Sequence, residues 1–540
     1  MKKILTSLAV ACSAFVLYSC SDQLDTEQHG GISVDQYYKT DAECLEGLAA
    51  VYSNFSGYRL SDFMPLASLS DDFYAGGGDR GNDTGLEELN EFNLSLDNAR
   101  FSSMFTTWYN TIYRCNLLVS HLAEAKTPTA QRVYAEALVL RAFNYLRLAS
   151  YFGDVPLIVE EITDGNYAKE ASPRAQVFAQ VEADLEQAIA SGKLLEKANK
   201  TDKVVNVTKQ FAQALLGKAY VYESTFEGTD KWSQARAALD AVISSDKYEL
   251  YKGKYSDIFH FVGAFNCESM FEFNWVFDTQ NTPINMTQRL GWRVERFKQD
   301  QYIKTQAAGL TECPNESYGF YNPSIDLYKA FVEMEGENGY RLNECMVTYK
   351  ELCTYPLNIE NGKYVYGNGG YFTKKFLPRA SERIKSNTLT TSSVFFRYAE
   401  VLLLAAEAEM HGGSQVKADG YINQIKTRAG ITNQPGNYTL DDLMKEKRLE
   451  MWGEGTRWPD VIRWGKAAQV FKDWGKRVPT LYGLADGSDN SNQQYDNVDG
   501  YNILWKTTGG SGWQDKYARL PFPQQEIDVN KNVSQPTGWN

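Results

Sequence analysis

The chain has 540 residues, with 68 acidic side chains against 55 basic ones and a formal net charge of −13 at pH 7. A chain this acidic is repelled by nucleic acid and by anionic headgroups, and no basic run offsets that. The 34 Tyr, 27 Phe and 11 Trp are the more telling excess. Most belong to a core, and some are expected on the surface, where flat rings meet flat ligands.

The N-terminus carries Lys2 and Lys3, then an apolar run from Ile4 to Tyr18, then Ser19-Cys20. Charged, apolar and cysteine segments in that order resemble a bacterial lipoprotein signal: residues 1–19 leave and Cys20 becomes the lipid-bearing first residue. The run is too short to span a bilayer comfortably, and no later segment approaches the length needed. A domain tethered by acyl chains at its N-terminus is therefore expected.

Residues 58–100 have the texture of loops. Within them Gly76, Gly78 and Gly81 of "GGGDRG" fit the G-x-G-x-x-G pattern. The following "NDTGLEELNEF" offers no clear apolar helix face, so a flexible surface loop is expected there rather than a dinucleotide site. The acids Asp71, Asp72, Asp79, Asp83, Glu87 and Glu88 do not follow EF-hand spacing, so neither a calcium ion nor any cofactor is predicted.

Helices dominate the next stretch. Tyr134, Leu138, Arg141, Tyr145, Leu148 and Phe152 mark one helical face that stops at Gly153 and Pro156. Ser172-Pro173 reads as a cap and first-turn proline for a helix carrying Val177, Val181, Leu185 and Ala188. A third helix starts near Thr208, and "WSQARAALDAVI" is its partner. This pair resembles a tetratricopeptide unit, with Gly217 and Tyr220 on one helix and Ala235, Leu239 and Val242 on the other. The same spacing returns as Ala418, Ile422 and Ile425, after the helix "AEVLLLAAEAEMHGG".

From about Tyr248 to Thr391, β-prone runs such as "SMFEFNWVF" and "KYVYGNGGYFTKKF" alternate with Gly, Asn and Pro clusters. Long irregular insertions of this kind usually carry function, because scaffold helices are committed to packing. The remaining cysteines Cys44, Cys115, Cys267, Cys313, Cys345 and Cys353 contain no C-x-x-C, and His29, His121, His260 and His411 are far apart in sequence. Zinc and redox-motif readings therefore fail. Cys345 and Cys353 either close a small loop or remain free thiols.

The segment "EKRLEMWGEGTRWPDVIRWG" (446–465) looks most like an active site. Glu446, Glu450 and Glu454 recur every four residues, and Arg457, Asp460 and Arg463 every three, among Trp452, Trp458 and Trp464. A glycosidase needs one of two carboxylates held protonated in an apolar pocket. Basic partners at matching reach instead favour a structural ion-pair cluster shielded by tryptophans.

That segment resembles the SusD/RagB family of outer-membrane glycan-binding lipoproteins. So do the lipoprotein start, "YAEALVLRAFNYLRLASYFGDVPLI", "TKQFAQALLGKAYVY", "RYAEVLLLAAEA" and the C-terminal "YARLPFPQQEIDVNKNVSQPTGW". The resemblance covers essentially the whole mature chain in the family's order. Lys447, Lys531 and Thr537 are small departures that bear on local turns.

The resemblance implies an all-α scaffold of tetratricopeptide-like helix pairs with a loop-rich insertion containing short β-hairpins. It implies a single domain over 20–540, with the scaffold at about 36–245 and 393–465 and irregular insertions at about 58–100, 246–392 and 466–520. It implies a cell-surface lipoprotein without enzymatic chemistry, an oligosaccharide ligand and a SusC-like TonB-dependent transporter as partner. "SDQLD" after Cys20 resembles the family's acidic export signal.

For the ligand site, loop aromatics are favoured: Tyr74, Trp275, Trp292, Tyr318, Phe320 and Tyr321, with Asp72, Arg80 and Asn82 as polar partners. Trp108 is assigned to the core. A peptide or another non-sugar nutrient is the alternative ligand, and a surface glycosidase using Glu450 and Glu454 the distant one.

Overall fold

The computed structural model describes residues 37–57, 59–274, 289–298, 317–355, 357–377, 392–486 and 493–539. Its first half is a run of helices: α1 (Asp41–Ser53), α2 (Ala99–Leu122), α3 (Pro128–Tyr151), α4 (Arg174–Ala190), α5 (Lys209–Phe226) and α6 (Trp232–Ser244). All but α6 begin where a side chain compensates an unpaired backbone N–H group. Thr40 and Glu43 form a capping box for α1, while Asn98, Thr127 and Thr208 cap α2, α3 and α5. The start of α4 differs from expectation. Pro173 itself stands at the cap position, and the Asp154 carboxylate, across the loop, accepts the Arg174 N–H at 2.9 Å. The stop of α3 is as the sequence suggests, with Gly153 at φ +80° just beyond the last turn.

Consecutive helices from α2 to α6 pack on one another. The α5–α6 crossing shows why Gly217 is there: a Cβ at that position would lie 2.5 Å from Leu239 Cγ. Ala235, Leu239 and Val242 are buried in the seam, and so are Ala418, Ile422 and Ile425 in the later pair. That pair is α8 (Tyr398–Met410) and α9 (Gln415–Arg428), preceded by α7 (Ile325–Glu335) and followed by α10 (Leu440–Met451) and α11 (Arg457–Arg463). Helix α8 touches α5, α6, α9 and α10, which ties the two helical runs into one apolar core containing Trp108.

The strands are short. They include β1 (Phe73–Gly76), β2 (Ser269–Phe273), β3 (Phe320–Pro323), β4 (Val365–Tyr366), β5 (Ser393–Arg397), β6 (Arg477–Leu484), β7 (Asp496–Val498) and β8 (Tyr501–Thr507). Strands β1 and β3 pair antiparallel, as do β2 and β5, and a four-stranded sheet runs β7-β8-β6-β4. The insertion is more ordered than its sequence suggests. Besides short strands, most of them paired with distant segments, it contains α7 and two six-residue helices, and it contributes much of a second apolar cluster around Phe73, Tyr255, Trp292, Tyr321, Trp452 and Ile503.

Cys345 and Cys353 are free, as are Cys44, Cys115 and Cys267. The Cys345–Cys353 bridge is therefore not formed, and burial pushes the Cys345 thiol up to about 12. Cys20, Cys313 and the signal segment lie outside the described residues. Among those described, no helix is long and apolar enough to cross a membrane.

Candidate functional site

The 446–465 segment is a buried charge network, and its partners come from far along the chain. Glu450 faces Arg341 at 2.9 Å, Arg397 at 2.5 Å and Arg428. Glu446 pairs with Arg341 at 2.7 Å, and Glu454 with Lys375 and Arg397, each at 2.7 Å. On α11, Arg457 binds Asp71 at 2.7 Å, and Arg463 binds Glu407 at 2.6 Å and Asp460 at 2.8 Å. Only Asp460, which also holds Lys447, finds its cations within the segment; helix spacing alone misses the rest.

Burial by itself would raise the Glu450 carboxyl, but Arg428, Arg397 and Arg341 outweigh it and hold it well below the usual range. A carboxylate so held is not a proton donor at neutral pH. Glu454 lines a narrow pocket of about 60 Å³, room for a few waters and too small for a sugar ring.

Most of the aromatics singled out in the sequence are core. Tyr74 stacks on Trp474 at 5.1 Å, Trp292 packs edge-on against Phe372 at 5.7 Å, and Phe320 is buried. Tyr321 is fully buried and donates its hydroxyl to the Met64 carbonyl at 2.6 Å. Asp72 is fully buried too, with Arg448 Nε 2.8 Å away. As placed, these five side chains are committed to packing and do not form a ligand surface. Tyr318 is half-buried, with the Arg289 guanidinium 5.0 Å from its ring centroid. Arg80 and Asn82 are exposed; Arg80 grips Glu91, and Asn82 accepts the Gly78 N–H at 2.7 Å. Trp275 lies outside the described residues.

The glycine loop also departs from expectation. Gly76 to Gly78 are buried rather than part of a free surface loop. Gly76 sits at φ +69°, and a Cβ there would lie 2.5 Å from the Gly319 carbonyl oxygen. A strand precedes the motif and a short helix, Thr84–Asn90, follows, but β1 is in an antiparallel pair, which is not the βαβ unit of a dinucleotide site.

Sequence reasoning missed a ledge of three half-buried tyrosines beside this loop. Tyr364 and Tyr482 have ring centroids 5.4 Å apart, and Tyr482 and Tyr495 are 4.8 Å apart, each pair tilted by 37°. Strand register produces the ledge. Antiparallel pairing sets Tyr366 opposite Thr480 and Val365 opposite Leu481, so Tyr364, the residue just before β4, falls opposite Tyr482; it is partly exposed while Tyr366 is buried. In β6 the pairing shifts between Leu481 and Gly483, and Tyr482 falls at that irregularity, where a bulge re-aims a side chain.

Charges frame the rings. Lys506 Nζ is 4.8 Å and Arg296 Cζ 5.2 Å from the Tyr364 centroid, and Tyr364 donates its hydroxyl to Asp79. Arg296 also donates to the Gly78 carbonyl at 3.0 Å, and Lys506 lies 3.6 Å from Asp79. Loop, sheet edge and rings thus form one connected surface with donors and acceptors around apolar faces. Among the described residues, no cluster of three His, Cys, Asp or Glu side chains could hold a metal ion.

The architecture is a helical-repeat scaffold that presents a loop-borne aromatic face. Residues 292–539 match the pattern described as "SusD family", and residues 79–222 match "Starch-binding associating with outer membrane". A SusD-like protein of Bacteroides ovatus is 23% identical, over 98% of this chain and 97% of that protein. A solved laminarin-binding SusD-like protein superposes with a TM-score of 0.71 at 25% identity, covering 93% of this chain and all of the other. Surface glycan-binding protein A from Bacteroides thetaiotaomicron, solved with laminarihexaose, shares the fold with a TM-score of 0.68 at 21% identity, over 92% and 99% of the two chains. The chain is a SusD-like family protein.

Proposed function

We propose that this protein binds an oligo- or polysaccharide at the Tyr364–Tyr482–Tyr495 ledge and delivers it to a SusC-like TonB-dependent transporter in the outer membrane. The ledge carries this reading. Sugar rings expose apolar C–H faces that stack on aromatic planes, while nearby charged and amide groups take the hydroxyls. Asp79, Asn82, Arg296 and Lys506 stand where such hydroxyls would fall. The laminarin-binding relative and the laminarihexaose complex are consistent with a glycan ligand. Cys20 supplies a lipid anchor at the cell surface, since several acyl chains hold a body of this size at a bilayer.

A glycan array probed with residues 21–540 tests the ligand class. Saturable binding to one family of glycans is expected; binding to peptides with no glycan signal would contradict the reading. Co-purification in detergent from cells grown on that glycan tests the partner, and recovery of the protein without a transporter would refute delivery.

A further inference from the structure

A cleft of about 560 Å³ opens between α7, α10 and the loop that follows α9, and it shares no lining residue with the tyrosine ledge. Met334, Ile431 and Leu449 give it an apolar wall, with the buried Lys426 and the half-buried Arg448 as cations on it. Arg448 is already held by two carboxylates, Asp71 at 2.9 Å and Asp72 at 2.8 Å.

Lys426 is different. Among the described residues its ammonium has Met334 Sδ at 3.2 Å, a weak acceptor, Glu446 Oε2 at 3.5 Å and the Tyr438 ring centroid at 5.5 Å. That Glu446 oxygen makes no hydrogen bond, and the other is taken by Arg341. An ammonium has three N–H donors, and leaving them short of acceptors in a buried place is unfavourable. An anion entering the cleft would complete the set.

Rim charges narrow the choice. Lys445 pairs with Glu333 at 3.3 Å and Lys329 with Asp499 at 3.5 Å, while Asp326 is exposed at the mouth and Asp442, engaged in the Thr439 cap, also lines it. These carboxylates disfavour a multiply charged phosphate but tolerate a single negative charge held at Lys426. The apolar wall asks for a ligand with a greasy face.

We propose that this cleft is a second ligand site, taking one carboxylate-bearing sugar residue, a uronate. Its carboxylate sits on Lys426, and the C–H face of its ring lies against Met334, Ile431 and Leu449. The inference rests on the glycan reading above only in taking the ligand to be a sugar.

The test is a calorimetric or saturation-transfer titration of residues 21–540 with methyl glucuronide, with methyl glucoside and inorganic phosphate as comparators. Saturable binding of the glucuronide alone is expected. In Lys426→Met its affinity should fall by about tenfold or more, the scale of one charge-assisted contact. No saturable glucuronide binding, equal response to the glucoside or phosphate, or unchanged affinity in folded Lys426→Met would overturn the proposal. Should Lys426→Met not fold, the exposed Lys445→Glu serves instead: a several-fold loss supports the site and unchanged affinity refutes it. Failure of the ledge to bind any glycan leaves this readout intact, because it uses a monosaccharide and a separate cleft.

Discussion

Glu450 and Asp71 show how single residues in this protein are set by their neighbours. Glu450 and Arg397 are both fully buried, so removing either leaves an uncompensated charge among the rest. Glu450→Ala or Arg397→Ala should lower stability by about 3–5 kcal/mol, while the folded fraction keeps its glycan affinity. Chemical denaturation beside a binding titration checks both halves. Asp71 adds a pH dependence. Burial would raise its carboxyl, yet Arg448 and Arg457 hold it at about 2, whereas burial raises its neighbour Asp72. A depressed carboxyl contributes stability that is present above its unfolded value near 4 and lost as pH falls through about 2. Asp71→Asn should therefore flatten the acid limb of the stability curve across that window, an effect on the order of 2 kcal/mol. Denaturation midpoints that fall in parallel with acid in both proteins would show that Asp71 is not the group.

Elements differ in how plainly the sequence announces them. The α5–α6 seam is tight at Gly217, so Gly217→Ala should overpack against Leu239 and lower the melting temperature by the equivalent of about 1–3 kcal/mol. An unchanged Tm would mean the helices can part at no cost. Helices such as α3 and α5 are legible because a 3.6-residue period repeats over several turns and caps mark the starts. The loop face is not. Tyr74 and Tyr364 both sit in short aromatic β-prone runs, and only partners distant in sequence decide that Tyr74 stacks inside on Trp474 while Tyr364 meets Tyr482 at the sheet edge. The glycine loop is legible as punctuation, and Arg80 and Asn82 are exposed on it, but the rings beside it arrive from residues hundreds of positions away. The charge network fails the same test. Its acids follow a helix period, and its arginines at 341, 397 and 428 do not.

At the scale of the molecule, two apolar clusters divide the labour. The helical cluster gives a rigid body, and the second cluster carries the strands that hold the ledge. The described chain begins at Tyr37 and Tyr38, fixed to the body through Glu46 and against the His121 ring at 5.6 Å. If Cys20 carries the lipid, Cys20→Ala should leave a folded protein that fractionates away from the outer membrane in cells lacking the transporter. Tight membrane retention of that variant would refute the anchor.

The function proposed for this protein stands or falls with the tyrosine ledge as its glycan surface. Its most direct test is the affinity of Tyr364→Ala, Tyr482→Ala and Tyr495→Ala for the array-identified oligosaccharide, measured by calorimetry beside each variant's melting temperature. Each substitution should weaken binding by about 1–2 kcal/mol, roughly five- to thirty-fold, with little change in Tm. Wild-type affinity in all three folded variants would place the glycan site elsewhere on the protein.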